Sequence, residues 1–322
     1  MQRRTTAMAR SNLHGKEGFA NKSSTPHRSH LYVPSMSATV RLGTCSWADE
    51  GLLKAWYPRG ISTAEKRLRY YAERFDTVEV DSPFYALPDP AVTQRWAQRT
   101  PDEFVFHVKA SAAMTWHEGE PTDEAFRHFR GAMEPLELSG KLRGVLLQYH
   151  PRFVKSVSAK DELARVRARL DPLIPLIEFR HKSWMEPGEQ EDTLTFLERH
   201  ELAYVCVDAP RTRASNVLPP VAAATHRVAY IRFHGRNAQT WNIRGGTAAD
   251  RFDWMYSAVE LAEWVEPLTR LAEQTDEAYV LFNNNRDDFA PRSAMILRGL
   301  LEDAAIPVAG GVEPPPERPT LF

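Results

Sequence analysis

The chain has few cysteines, no long apolar run and almost no net charge, and each absence excludes a class of protein. The two cysteines, Cys45 and Cys206, form neither a CxxC pair nor a zinc-ligand spacing. We therefore expect buried, reduced thiols and a cytoplasmic protein. No apolar run approaches the roughly 18 residues that a membrane span requires. A formal net charge of −1 argues against a generally basic nucleic-acid-binding protein, although a local basic patch is compatible with it.

Several common catalytic and nucleotide-binding signatures are also missing. The sequence contains no P-loop, no GxGxxG after a strand, no GxSxG elbow and no HExxH. These absences argue against a P-loop NTPase, a Rossmann dehydrogenase and an α/β-hydrolase.

What the chain does contain is a repeated unit, in which a short apolar stretch runs into a polar cluster and a helix-like segment follows. Strands that alternate with helices predict a parallel α/β sheet, and eight units in one chain fit a single (β/α)₈ TIM-type barrel of about 250 residues. Barrel active sites lie at the carboxyl ends of the strands. The predicted strands are RLGTCSW (41–47), TVEVDSPFY (77–85), FVFHVKA (104–110), GVLLQYH (144–150), LIEFRH (176–181), AYVCVD (203–208), VAYIRFHG (228–235) and YVLFNNN (279–285).

Two tails flank the predicted barrel, which we place at 40–303. Residues 1–39 hold six Lys and Arg against one acid and little periodicity, which predicts disorder. Three interpretations of this segment remain open. It is a start placed too early, with Met36 as the true beginning, or a disordered tail, or a targeting segment. Residues 304–322 form a Pro-rich tail that ends in Leu321 and Phe322. This ending resembles sliding-clamp-binding peptides, although Arg318 stands where Gln is usual, so it predicts a weak clamp contact.

Helical periodicity places the first long helix at Ser62, where Ser62 and Glu65 form a capping-box pair. The stretch after strand six, 209–227, is expected to be mostly loop. Further helices are predicted over 90–99, 122–138, 158–170, 190–200, 256–273 and 291–303.

Side chains alternate between the two faces of a strand, so one face packs on the helices and the other points into the barrel. Strand two places Val78 and Val80 outside, Glu79 inside and Asp81 at the rim. The same rule predicts that Asp208 points inward on strand six. It gathers one cluster around a single opening: Glu79, Asp81, Lys109, Gln148, Glu178, Arg180, Asp208, Arg232 and His234.

Buried charges are costly unless they are paired, so this cluster is a functional pocket or a structural salt-bridge network, and we favour the pocket. Trp47 and Trp241 are expected to form its walls, and the strand-eight asparagines to face it with unresolved parity. The predicted catalytic residues are Glu79, Glu178, Asp208 and His234. The predicted substrate-binding residues are Trp47, Asp81, Lys109, Gln148, Arg180, Arg232, Trp241, Asn283 and Asn284.

Several strings are familiar together: LGTCSW, WYP (56–58), RYYAERFDTVEVDSPFYALP, TPDEFVFHVKA, LLQYHPRF, IEFRHKSW, YIRFHGR and FNNN. In this order, from about 41 to 300, they resemble the YecE-like family, a domain of unknown function. The resemblance implies a TIM-type barrel and brings no established activity. One departure is Trp116, which stands between Thr115 and His117 where the family tends to have a Thr-His pair.

The residues favour an enzyme that performs acid–base chemistry on a small anionic or phosphorylated polar substrate. Hydrolysis, isomerisation and lyase chemistry all remain open. One alternative is a metal-dependent phosphodiesterase or nuclease that binds Mg²⁺ or Mn²⁺, but the cations in the ring offset most of the carboxylate charge, so a metal is not favoured. The other is a non-catalytic accessory protein that binds nucleic acid or protein and docks through Leu321 and Phe322.

Overall fold

The protein is described here by a computed structural model that covers residues 38–243 and 245–310. Every predicted strand is present, and β4, β5 and β8 each begin two residues before the predicted stretch. The strands are β1 (Val40–Thr44), β2 (Thr77–Val80), β3 (Val105–Lys109), β4 (Leu142–Gln148), β5 (Ile174–Glu178), β6 (Ala203–Asp208), β7 (Val228–Phe233) and β8 (Glu277–Phe282).

Helices connect the strands and cover the outside of the sheet. They are α1 (Glu50–Ala55), α2 (Ala64–Ala72), α3 (Pro90–Gln98), α4 (Asp123–Leu138), α5 (Val157–Leu170), α6 (Gln190–Arg199), α7 (Ala248–Arg251), α8 (Ala258–Ala262), α9 (Val265–Gln274) and α10 (Phe289–Asp303). The predicted cap at Ser62 is wrong by one residue, because the side chain of Thr63 accepts from the backbone N–H of Lys66. The predicted helix 256–273 is two helices, and 209–227 is loop as expected.

All neighbouring strands pair in parallel, in the order β1-β8-β7-β6-β5-β4-β3-β2, which makes a nearly closed barrel. The predicted TIM-type barrel is therefore confirmed. Because the strands are parallel, their carboxyl ends meet at one mouth of the barrel, and the polar residues that follow them are brought together there.

The side chain of Tyr71 on α2 joins the two strands at the ends of this order. Its hydroxyl accepts from the backbone N–H of Thr44 on β1 at 2.9 Å and donates to the carbonyl of Thr77 on β2 at 3.0 Å. Gly43 permits this close approach, because a Cβ at that position would lie 2.4 Å from the Thr77 carbonyl oxygen. The seam is thus closed by one buried hydroxyl group.

The buried core has two layers, one inside the barrel and one between the barrel and the helices. On β5, Ile177 packs in the outer layer with the neighbouring Phe179, and Leu176 packs inside. The inner layer also contains Cys45, Leu146, Ile174, Ala203, Val205, Val228, Tyr230, Tyr279 and Leu281. Both cysteines are buried free thiols, as predicted.

The chain after α10 returns to the first strand. Val308 forms a parallel bridge with Val40, and the guanidinium of Arg298 donates to the carbonyls of Ala309 and Gly310 at 2.7 Å. Residues 306–310, predicted to belong to the tail, thus pack against the barrel. The predicted disordered N-terminal tail up to residue 37, and the predicted clamp contact through Leu321 and Phe322, lie outside the described residues. None of the described helices has the length and apolarity to cross a bilayer.

Candidate active site

The carboxyl ends of the strands carry a charged cluster that fills the mouth of the barrel. Four of its side chains are fully buried: Glu79, Glu178, Arg232 and His234. These side chains point inward, as strand alternation predicts. The strand residues next to them in sequence pack in the outer core layer.

Arg232 on β7 lies at the centre of the cluster and binds two carboxylates. Its Nη2 donates to Oε1 of Glu79 at 2.5 Å, and its Nη1 donates to Oε2 of Glu178 at 2.6 Å. Asp81, at the rim, lies 3.8 Å from the same Nη2. One guanidinium is therefore shared by two buried acids and approached by a third.

Glu178 accepts more hydrogen bonds than any other group at this mouth. Besides Arg232, its Oε1 accepts from Gln148 at 2.7 Å, Arg180 at 2.8 Å and His234 at 3.1 Å. Burial alone would raise the pKa of Glu178, but Arg232, His234 and Arg180 outweigh it and hold that pKa well below its ordinary range. Glu178 is consequently a fixed anion at neutral pH.

Glu79 shares the arginine but has fewer partners. Its Oε2 accepts from the hydroxyl of Tyr230 at 2.7 Å. Burial raises the pKa of Glu79 to about 7, with Arg232 opposing the rise and Asp81 adding to it. Glu79 therefore exchanges a proton near neutral pH, while Glu178 does not. Tyr230 is not among the residues predicted for the site.

His234 is oriented by Asn283, the first residue after β8. The side-chain amide of Asn283 donates to Nδ1 of His234 at 2.8 Å, so the proton sits on Nε2 and is donated to Glu178. Burial lowers the pKa of His234 to about 4 despite the neighbouring Glu178. The imidazole is neutral at pH 7, and it is covered by the rings of Phe252 and Trp241.

The rim above the buried cluster is cationic on one side. The ammonium of Lys109 lies 4.4 Å above the ring of Phe84, and the guanidinium of Arg180 lies 5.0 Å from the ring of Trp241. Beside Arg180 is a recess of about 240 Å³. It is lined by His117, Gln148, Tyr149, Pro151, Arg180, Asn216, Trp241, Asn242, Ile243 and Arg251.

The rim also carries acidic groups. Asp49, in the loop after β1, has a pKa raised to about 6, chiefly by burial and then by the nearby Asp81. Ser46 and Asn285 hydrogen-bond to it and oppose the rise. Sequence reasoning missed Asp49, because it lies beyond the end of β1, where strand alternation gives no information.

The family model described as "Protein of unknown function DUF72" matches residues 41–319 of this chain. The chain belongs to the DUF72 family. The resemblance to YecE-like proteins predicted from the sequence is thus confirmed.

Relatives of this DUF72 protein are found in distant bacteria. The UPF0759 protein YunF of Bacillus subtilis is 32% identical over 76% of this chain and 89% of its own length. The UPF0759 protein YecE of Escherichia coli K12 is 26% identical over 88% of this chain and all of its own length. The crystal structure of a DUF72 family protein from Thermotoga maritima is 30% identical, covers 82% of this chain and 99% of its own, and superposes with a TM-score of 0.73. No activity accompanies these names.

Asp208 is predicted to point into the barrel of this DUF72 protein, and that prediction is wrong. The carboxylate of Asp208 accepts from Tyr256 at 2.6 Å, from Trp264 at 2.8 Å and from Arg236 at 2.7 Å, all outside the barrel. On β6 it is Val205 that faces inward. Asp208 therefore anchors the loop after β7 and α9 to the sheet, and does not contact the Arg232 cluster.

Two predicted binding residues also lie away from the mouth. Trp47 packs edge-on against Trp96 and Phe106 in the outer layer and is 7% exposed. The amide of Asn284 donates to the hydroxyl of Ser293 at 3.0 Å on α10. Both predicted placements are wrong, because each residue lies just past its strand, where the chain has left the alternating conformation.

The inserted Trp116 does not separate its neighbours. It adopts a φ of 64°, in the left-handed region, and is 36% exposed. The turn brings the hydroxyl of Thr115 to 2.9 Å from Nδ1 of His117. His117 lines the recess.

Within residues 38–243 and 245–310, no three His, Cys, Asp or Glu side chains lie close enough together to hold a metal ion. In the buried cluster, Arg232 occupies the position between the two carboxylates where a cation would otherwise be bound.

Proposed function

We propose that this protein is an enzyme that performs acid–base chemistry on a small anionic polar substrate at the carboxyl ends of the barrel strands. The observation that carries the proposal is the pair of buried carboxylates on Arg232, whose pKa values move in opposite directions. Enzymes use pairs of acids whose surroundings shift their pKa values in opposite directions, so that one acid donates a proton while the other stays charged.

In this proposal Glu79 exchanges the proton and Glu178 provides the constant negative charge. Glu178 fixes Arg232 and His234 by hydrogen bonds, so it acts as a positioning residue. Asp81 lies two residues further along the same face of the chain, with its side chain 28% exposed, and marks the route from the mouth to Glu79.

The charge of the rim supports an anionic substrate. Lys109 and Arg180 line the mouth, and the ammonium of Lys109 forms no ion pair with the described carboxylates. Guanidinium and ammonium groups fix carboxylate or phosphate groups by charge-assisted hydrogen bonds.

The test is solvent exchange, because it detects proton transfer whether the overall reaction is an isomerisation or an elimination. The protein is incubated in D₂O with a panel of phosphorylated sugars and small hydroxy acids, and deuterium incorporation or product formation is followed by mass spectrometry. We expect Glu79→Gln to lower the rate by about 10²–10⁴-fold, the usual contribution of a general acid or base.

The matched control is Glu277→Gln, at the opposite end of the barrel, where Glu277 pairs with Arg143. It makes the same chemical change far from the mouth and should leave the rate unchanged. A Glu79→Gln protein that processes the same compound at the wild-type rate would contradict the proposal.

A further inference from the structure

We infer that the recess beside Arg180 is a binding site for the phosphate group of a small phosphorylated compound, with Arg251 and Trp241 as donors that sequence reasoning did not bring together. The inference names the class of the substrate. It rests on the proposed function only because it treats the phosphorylated compound as a substrate.

Trp241 presents a buried donor without a partner. The side chain is 4% exposed, yet its indole N–H meets no acceptor among the described residues. A buried unsatisfied N–H costs about 1–3 kcal/mol, so such groups are rare in native proteins unless something else supplies the acceptor. The Trp241 side chain also lines the recess.

Arg251, at the end of α7, adds a second donor of the same kind. Its Nε is buried without a hydrogen-bond partner, and its guanidinium forms no ion pair with any carboxylate over 38–243 and 245–310. Most other partly buried arginines of the protein are paired, as Arg236 is with Asp208 and Arg298 with Glu302. The positive charge of Arg251 is thus left for an anion.

Arg180 completes the set from the other wall. Its hydrogen bonds to Glu178 and its contact with His234 use Nη1 alone, so Nη2 and Nε have no acceptor in the described part of the chain. The side chains of Arg180, Arg251 and Trp241 thus line one small recess. Guanidinium groups match the geometry of phosphate oxygens.

The lining of the recess is cationic and contains no acid. None of its ten lining residues is Asp or Glu. Burial, followed by the adjacent His150, Lys109 and Arg180, lowers the pKa of His117 to about 4. His117 is thus neutral at pH 7 and remains available as a hydrogen-bond donor or acceptor to a bound group.

The size of the recess limits what it accepts. Its volume of about 240 Å³ is below the roughly 300–1,000 Å³ of pockets that hold drug-sized ligands. A phosphate and a few attached atoms fit this limit better than a nucleotide or an oligonucleotide. The class of ligand is therefore a small phosphomonoester.

The test uses inorganic phosphate as the probe and the indole N–H resonances of the protein as the readout, at constant ionic strength with chloride as the comparison anion. We expect phosphate, and not chloride, to shift the Trp241 resonance, which is assigned by its loss in Trp241→Phe. Arg251→Gln should weaken phosphate binding by at least about tenfold, and Trp241→Phe by about threefold to tenfold.

Trp254→Phe is the matched control, because Trp254 also has a buried indole N–H without a partner but does not line the recess. Its phosphate affinity should equal that of the wild type. Phosphate binding that Arg251→Gln and Trp241→Phe leave intact, or no response of Trp241 to phosphate at tens of millimolar, would overturn the inference.

The two proposals fail separately. Phosphate binding that depends on Arg251, in a protein that shows no Glu79-dependent exchange with any compound, would leave the phosphate site and refute the acid–base function. Glu79-dependent exchange without phosphate binding would refute the phosphate site and leave the acid–base function.

Discussion

At the scale of single residues, the charge balance around Arg232 decides which acid takes up a proton. Glu79 and Glu178 are both fully buried, and one guanidinium can neutralise only one of them. Glu178 has three further donors, whereas Glu79 has the hydroxyl of Tyr230. The ionised form is therefore stabilised at Glu178, and the proton goes to Glu79.

This difference predicts that a Glu→Gln substitution lowers the free energy of unfolding by different amounts at the two positions. Glu178→Gln removes the charge that four donors require, so we expect it to lower the free energy of unfolding by about 3–5 kcal/mol. Glu79→Gln mimics the protonated acid and should cost less than half as much at pH 6. Urea denaturation measures both, and equal costs would contradict the assignment.

The same comparison changes how a loss of function in Glu178→Gln should be interpreted. From the sequence, that variant is expected to lose function with little loss of stability. The hydrogen bonds of Glu178 to Gln148, Arg180, Arg232 and His234 make it part of a structural network as well as of the site. The variant therefore cannot separate the two roles, whereas Glu79→Gln can.

At the scale of elements, the seam between β1 and β2 depends on one hydroxyl group of α2. Tyr71→Phe leaves the N–H of Thr44 and the carbonyl of Thr77 without this partner, so we expect a loss of about 1–3 kcal/mol in the free energy of unfolding. Tyr70→Phe is the control, because the hydroxyl of Tyr70 is buried without a partner in the described structure.

Removing an unsatisfied hydroxyl is neutral or stabilising, so Tyr70→Phe should not lower the midpoint of urea denaturation. A Tyr71→Phe protein as stable as Tyr70→Phe would show that the seam does not depend on the Tyr71 hydroxyl.

Strand alternation identified the inward residues of β5 and β7 but failed on β6. In β5 and β7 the charged residues lie on one face of the strand, and only that face can point into the mouth of the barrel. In β6 both parities are apolar along most of the strand, as is usual for parallel strands buried on both faces, so the pattern does not say which set faces inward. The charge of Asp208 at the strand end then pointed to the wrong face.

The recess at the mouth could be predicted only in part, because its residues come from loops. Trp241 and Arg180 were expected at the site, whereas Arg251 and Asp49 follow no periodic pattern that a sequence displays. The turn at Trp116, which brings Thr115 to His117, likewise depends on a backbone conformation that the residue type does not predict.

At the scale of the whole molecule, the barrel was predictable because eight strand–helix units repeat the same physical pattern. Each unit contributes one polar strand end, and the parallel topology alone brings those ends to one mouth. The fold thus follows from local patterns. The reaction does not, because it depends on which of several charged groups is protonated.

Protonation connects the site to the stability of the molecule. Since the pKa of Glu79 rises from 4.5 to about 7 on folding, the folded state binds the extra proton, and its contribution to stability is lost as the pH rises from about 4.5 through 7. Glu178, whose pKa is lowered, contributes stability that is lost only as the pH falls below 4.5. The two acids therefore act in separate pH ranges.

The most direct test is the free energy of unfolding of the wild type and Glu79→Gln from pH 5 to pH 8. The wild type should lose on the order of 1–3 kcal/mol relative to the variant as the pH rises, because only the wild type has the Glu79 proton, which the folded state retains and the unfolded state releases in this range. Parallel profiles would mean that Glu79 is already ionised at pH 5. The proton-exchanging role of Glu79 would then be refuted.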